Sequence, residues 1–154
     1  MPSPQADLQR GFSLIELMIV LVIVALLLMV ALPSYQDSVR KGRRAEAFTA
    51  VSTIQQAQER WRANNTSYTL LLADIAANAN TPNGHYSLAL SAPRTPATVN
   101  IGFTVTATAT GGQAADPGCA KMAVELVRGN LSYGSGASGA STIDWTDTKR
   151  CWAK

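Results

Sequence analysis

A single carboxylate, Glu16, stands inside an otherwise apolar run from Phe12 to Leu32. An ionised side chain at membrane depth costs several kcal/mol, about 2.5 or more on insertion scales, so it persists mainly where it has a partner or a task. The flanking residues read Arg10-Gly11-Phe12-Ser13-Leu14-Ile15-Glu16-Leu17. Proteolysis between Gly11 and Phe12 would create an α-amino group four residues from that carboxylate, so a cleaved chain would carry its own counter-charge. The plainer alternative is a carboxylate near the start of the span that reaches the headgroups.

No catalytic constellation accompanies it. His85 is the single histidine, and no GxSxG or nucleotide-loop motif supports a triad or phosphate site. It reads as a polar strand residue beside a turn. Asp144 and Asp147 are close in sequence, but no spacing rule makes them a catalytic pair, and a solvated loop accounts for both. The absence of CxxC or a Cys/His cluster argues against a zinc site or redox dithiol at Cys119 and Cys151. The expectation is a protein that is not an enzyme and uses no cofactor or metal.

Gly11-Phe12-Ser13-Leu14-Ile15-Glu16-Leu17 followed by a long apolar run resembles the prepilin signal of the type IV pilins. Pro33 and Tyr35 fall where that family has a helix-kinking proline and a following tyrosine, and the likeness extends through Arg43-Arg44-Ala45-Glu46-Ala47. Gly118-Cys119 and Cys151-Trp152 resemble the cysteine pair that brackets the carboxy-terminal region of many pilins, with the closing Cys-Trp most like a minor-pilin subgroup. The resemblance implies cleavage after Gly11 by a prepilin peptidase/methyltransferase and N-methylation of Phe12. It also implies assembly with other pilin subunits through the apolar helix and Glu16, driven by pilus assembly machinery from the inner membrane. Two cysteines 32 positions apart in such an exported chain suggest a structural disulfide, with two buried free thiols as the alternative. Closing that loop would stabilise the fold by about 3 to 4 kcal/mol in the chain-entropy model.

These residues need elements to hold them. Phe12 to Leu32 contains 21 residues, and at about 1.5 Å per residue a helix of that length crosses a hydrocarbon core of about 30 Å. The candidate cleavage site precedes the apolar run, so processing would leave the anchor attached. Arg40-Lys41-Gly42-Arg43-Arg44 follows the span, and the positive-inside rule alone would put the carboxy-terminal part in the cytoplasm. The cysteines and the prepilin resemblance imply the opposite, an external head, and that orientation is adopted. The basic cluster has three readings: a solvated, lipid-facing helix face, contacts with neighbouring subunits, or a grip on DNA phosphates.

Beyond Pro33, where a kink is predicted, apolar residues return at Val39, Phe48, Val51, Ile54 and Trp61, with Ala47 and Gln58 completing a helical stripe. The opposite face carries Arg43, Glu46, Gln56, Glu59 and Arg60, and Asn64-Asn65 ends the helix. Leu70 to Leu72 and Ile75 suggest one short helical turn or packed loop. Alternation then predicts strands through Tyr86–Leu90, Ile101–Ala107 and Ala120–Leu126, with a turn over Gly111–Gly118. Gly134 to Ser141, rich in Gly and Ser, reads as a mobile surface loop.

The expected fold is α+β and pilin-like: a long kinked amino-terminal helix on a small antiparallel sheet. The expected domains are a leader at 1–11, a membrane and filament-core half-helix at 12–33, and the remainder of the helix with the head at 34–154. Net charge is +3, from 13 Lys+Arg against 10 Asp+Glu, which fits ordinary solubility as well as contact with nucleic acid. The function expected is a structural pilus subunit, a minor pilin, in the inner membrane and then in an extracellular filament. The rivals are a pseudopilin of a type II secretion system, a DNA-binding pilin of a competence pilus and a membrane-anchored enzyme. Arg60-Trp61-Arg62 puts bases beside an aromatic without forming a long stripe. Intact mass of the membrane-extracted protein is expected to show a chain beginning at Phe12 with one added methyl; a chain still beginning at Met1 overturns the processing assignment.

Overall fold

The computed structural model describes residues 12–152. The leader and its processing residue Gly11 lie outside them. The chain divides into two compact units, one up to Asp37 and one from Ser38 onward.

In the first unit, helix α1 (Leu14–Arg62, 49 residues) begins. The Leu17 amide donates to the Ser13 carbonyl at 3.2 Å, which closes the first turn. Glu16 lies in that turn, where the unpaired amides of a helix start favour a carboxylate. The apolar side chains on either side of it are open, Phe12 by 80% and Leu21 by 68%, and the helix is long and apolar enough to cross a membrane. Pro33 sits inside α1 and removes one backbone donor without ending the helix.

In the second unit, α1 turns Ala47, Val51, Ile54, Ala57 and Gln58 inward. They join a core with the inward row of a four-stranded antiparallel sheet, in the order β1 (Tyr86–Ser91), β2 (Gly102–Ala109), β3 (Lys121–Val127) and β4 (Asn130–Gly136). The register sets Phe103 opposite Leu126, Val105 opposite Val124, and Val124 opposite Tyr133. Strand alternation puts Thr104, Ala123 and Glu125 on the other face. That face is also covered. Glu125, only 4% exposed, accepts from the Arg94 amide at 2.6 Å and from its guanidinium at 2.9 Å, and the Arg94 guanidinium lies 4.0 Å above the Trp145 ring.

β4 corrects the sequence reading, which assigned Gly134 onward to a surface loop. Gly134 and Gly136 belong to the strand, where a Cβ on Gly134 would come within 2.5 Å of Ile143 Cγ2 and 3.0 Å of the Trp145 ring; the expected loop begins only after Gly136. The turn before β4 holds Arg128 at φ 48° and Gly129 at φ 82°, a two-residue hairpin with both central residues left-handed. The predicted helical turn appears as a 3-10 turn at Leu72–Ile75, and a second occupies Gly111–Ala115.

A disulfide joins Cys119 to Cys151, with 5.5 Å between Cα atoms. It delivers Trp152 to the core, where the indole lies 5.2 Å from the Phe48 ring and 5.3 Å from Tyr133 and donates to the Gly134 carbonyl at 2.8 Å.

Side chains from α1 also fix the loops. Gln58, fully buried, donates to the Thr69 carbonyl at 2.7 Å and accepts from its amide at 3.2 Å. Glu46 accepts from the Asn83 amide at 2.8 Å and meets His85 Nδ1 at 2.8 Å. Burial pushes the Glu46 carboxyl pKa up, but hydrogen bonds from Thr81, Asn83 and His85 outweigh this and hold it at about 2. A depressed carboxylate stabilises the fold fully above its ordinary pKa, here 4.5, and loses that contribution as pH falls toward 2. Glu46→Gln is expected to cost on the order of 1 kcal/mol at neutral pH and to flatten the stability profile between those two pH values, as measured by denaturant titration.

Candidate functional site

The last turn of α1 gathers groups from three separate segments. Arg62 donates from Nη1 to the Asn65 carbonyl at 2.5 Å and from Nη2 to the Asn100 carbonyl at 3.5 Å. Its guanidinium carbon sits 5.8 Å from the Tyr68 ring centroid. Tyr68 is held in turn: its amide donates to the Val99 carbonyl at 2.9 Å, its hydroxyl to Glu59 at 3.2 Å, and its ring lies 4.9 Å from Phe103. Arg128 arrives from the β3–β4 hairpin, its amide donating to the Ile101 carbonyl at 2.8 Å. Arg62 and Arg128 are therefore tied to the consecutive residues Asn100 and Ile101. With exposed Arg60 and half-buried Trp61, this end of the head presents cations beside aromatic rings, which can hold a phosphate backbone and stack a base. The sequence reading found Arg60, Trp61 and Arg62 but missed Tyr68, Asn100 and Arg128, which only the turns bring together.

The Arg40–Arg44 cluster is not a uniform solvated face. Arg44 grips Asp116 in a fork, Nε to Oδ2 at 2.8 Å and Nη2 to Oδ1 at 2.7 Å, and Asp116 is 1% exposed. Gln113, fully buried, donates to Asp116 Oδ2 at 3.1 Å and Tyr86 Oη at 3.0 Å. One of the cluster's four cations thus locks α1 to the β2–β3 connection. Two neighbouring expectations change for similar reasons. Glu46, read onto the polar face, and His85, read as a plain strand residue, form a pair at the entry to β1.

Asp144 and Asp147 do not form a catalytic pair either, but only Asp144 fits a loop reading. The hydroxyls and amides of Thr146 and Thr148 surround Asp144 and hold its carboxyl well below the usual range. Asp147 is buried and accepts from the Cys151 amide at 3.0 Å and the Trp152 amide at 3.3 Å. It seats the segment that the disulfide secures. Among the described residues no group of three or more His, Cys, Asp or Glu could hold a metal.

Comparison with known proteins follows this division of the chain. Residues 7–32 match the prokaryotic N-terminal methylation motif, and residues 33–123 match the family described as type IV minor pilin ComP, DNA uptake sequence receptor. The fimbrial protein EcpC of Eikenella corrodens is 38% identical over 116 residues, covering 70% of this chain and 71% of that protein. The type IV major pilin protein PilE1 of Neisseria gonorrhoeae is 45% identical over 67 residues, 39% of this chain and 41% of that pilin. A fimbrial protein of Pseudomonas aeruginosa is 43% identical over 51 residues, 33% of each chain. With a methylation motif on an apolar helix, a helix-on-sheet head and a family match over residues 33–123, this chain belongs to the type IV pilins.

Proposed function

We propose that this pilin is a DNA-binding minor subunit of a competence pilus. The observation that carries the reading is the match of residues 33–123 to the family described as a DNA uptake sequence receptor. In this reading the precursor sits in the inner membrane with its head outside, is cut after Gly11 and methylated on Phe12, and enters the filament with other pilin subunits through its apolar helix. A kink at Pro33 and a Glu16 carboxylate facing a neighbour's Phe12 ammonium belong to the same proposal. In a bilayer neighbouring apolar helices gain only packing, so the directional charge contact sets the axial stagger.

The basic end of the head supplies the DNA contact. Arg128 supports it through its cost: a left-handed φ of 48° is unfavourable for arginine and suits asparagine, the usual residue at this hairpin position. A strained residue at an exposed turn motivates a functional assignment.

Two experiments test the reading. Duplex DNA titrated onto the full chain in detergent is expected to bind with a steep salt dependence, and Arg62→Ala with Arg128→Asn should lower the slope of log K against log salt by about two. Arg128→Asn alone should raise stability by about 0.5 to 1 kcal/mol while weakening DNA binding. Absence of binding at low salt refutes the DNA assignment. Separately, Glu16→Val should leave the membrane level of a tagged subunit unchanged or higher and reduce its presence in sheared filaments. Undiminished incorporation at normal membrane level would remove the counter-charge mechanism.

A further inference from the structure

On the flank of the α1 terminus toward the 3-10 turn at Leu72–Ile75 lies a concavity of about 390 Å³ that shares Arg60 and Trp61 with the basic surface. Its apolar lining is Ala57, Trp61 and Ile75, and its polar lining includes Arg60, Asn65 and Asp74. The polar groups are only half engaged. Asn65 Nδ2 donates to the Trp61 carbonyl at 2.8 Å, which fixes the amide and leaves its oxygen as an acceptor. Asp74 Oδ2 accepts from the Thr69 hydroxyl at 2.5 Å, while Oδ1 takes no hydrogen bond among the described residues. The pocket thus combines an indole, a guanidinium and two acceptor oxygens without donors.

A ligand that satisfies all of these has a flat apolar face, N–H donors on its edge and an anion attached. A nucleotide has that form: the base stacks on Trp61, its amino edge meets Asp74 and Asn65, and its phosphate meets Arg60. We infer that this pocket takes one unpaired, amino-bearing base from a strand end or an opened step of DNA held on the Arg62–Arg128 surface, an inference that rests on the DNA-binding reading above. A paired base cannot enter, because its edge is occupied and its faces are stacked, and extrusion costs least where pairing is already absent. Thymine fits poorly, since its edge presents one N–H between two carbonyls that would face Asp74.

The test uses the full chain in detergent and one duplex in four forms: blunt, or carrying a short single-stranded overhang of adenine, thymine or abasic nucleotides with equal phosphate counts. The adenine overhang is expected to bind about tenfold more tightly than the abasic one, with thymine close to abasic. Trp61→Ala should erase this preference, and Trp61→Phe should keep most of it. Asp74→Asn, at an exposed residue, should narrow the adenine-over-thymine ratio without disturbing the fold. Equal binding of adenine and abasic overhangs by a protein that still binds blunt duplex overturns the pocket and leaves the DNA reading standing. A preference that survives Trp61→Ala, or an adenine-over-thymine ratio unchanged in Asp74→Asn, also overturns it. Failure of the wild type to bind any form removes the DNA reading and the pocket together.

Discussion

The head depends on a narrow stripe of α1, formed by Ala47, Val51, Ile54, Ala57 and Gln58, being dry on a sheet whose inward row is Phe103, Val105, Ala107, Met122 and Val124. Two alanines in that stripe bring the helix backbone close to the sheet, and the bulk is supplied largely by the strands. Burial of this size, at about 25 cal/mol per Å² of apolar surface, holds the two layers together without choosing a register along the helix axis. Something directional has to fix the slide of helix over sheet. Three polar side chains on α1 do so: Arg44 on Asp116, Glu46 on Asn83 and His85, and Gln58 on Thr69. Each reaches a different connection, so the helix is pinned at three heights.

The Arg44–Asp116 pair is the most demanding of these. A buried ion pair adds little net stability compared with an apolar pair of the same shape, but removing one partner leaves an uncompensated charge at a cost of about 3 to 5 kcal/mol. Its role in this fold is positional. The fork geometry and the shared Gln113 amide allow one orientation of the β2–β3 connection, and that connection carries Cys119. The disulfide in turn places Trp152 between Phe48 and Tyr133. Helix, connection and carboxy-terminal segment are thus ordered by one chain of contacts.

The outline of this fold was legible wherever a single periodicity decided it. The helix through Ile54 and Gln58, its end near Asn64, and three alternating strands follow from spacing alone. What escaped was set by neighbours distant in sequence. β4 reads as a loop because Gly134 and Gly136 have poor strand propensity, and only the packing of Ile143 and Trp145 against the chain explains the glycine. Glu46 reads as solvent-facing, and Arg44 as a cation for lipid, a neighbouring subunit or DNA, because their partners lie 37 to 72 positions away. The candidate site divides in the same manner. Arg60, Trp61 and Arg62 are adjacent and visible, whereas Arg128 joins them through a hairpin whose Arg-Gly pair lacks the usual Asn-Gly signal.

The sheet edges carry a consequence for a chain held at high local concentration. Ser87 of β1 is bridged by Asn80, and Ser135 of β4 is bridged by Asp144. An uncovered edge strand is a template for another chain's strand, and crowded subunits would meet edge to edge repeatedly. Short local segments cover part of each edge, which disfavours cross-β growth. In the proposed filament, polymerisation would instead run through the apolar stretch of α1, whose side chains are open among the described residues.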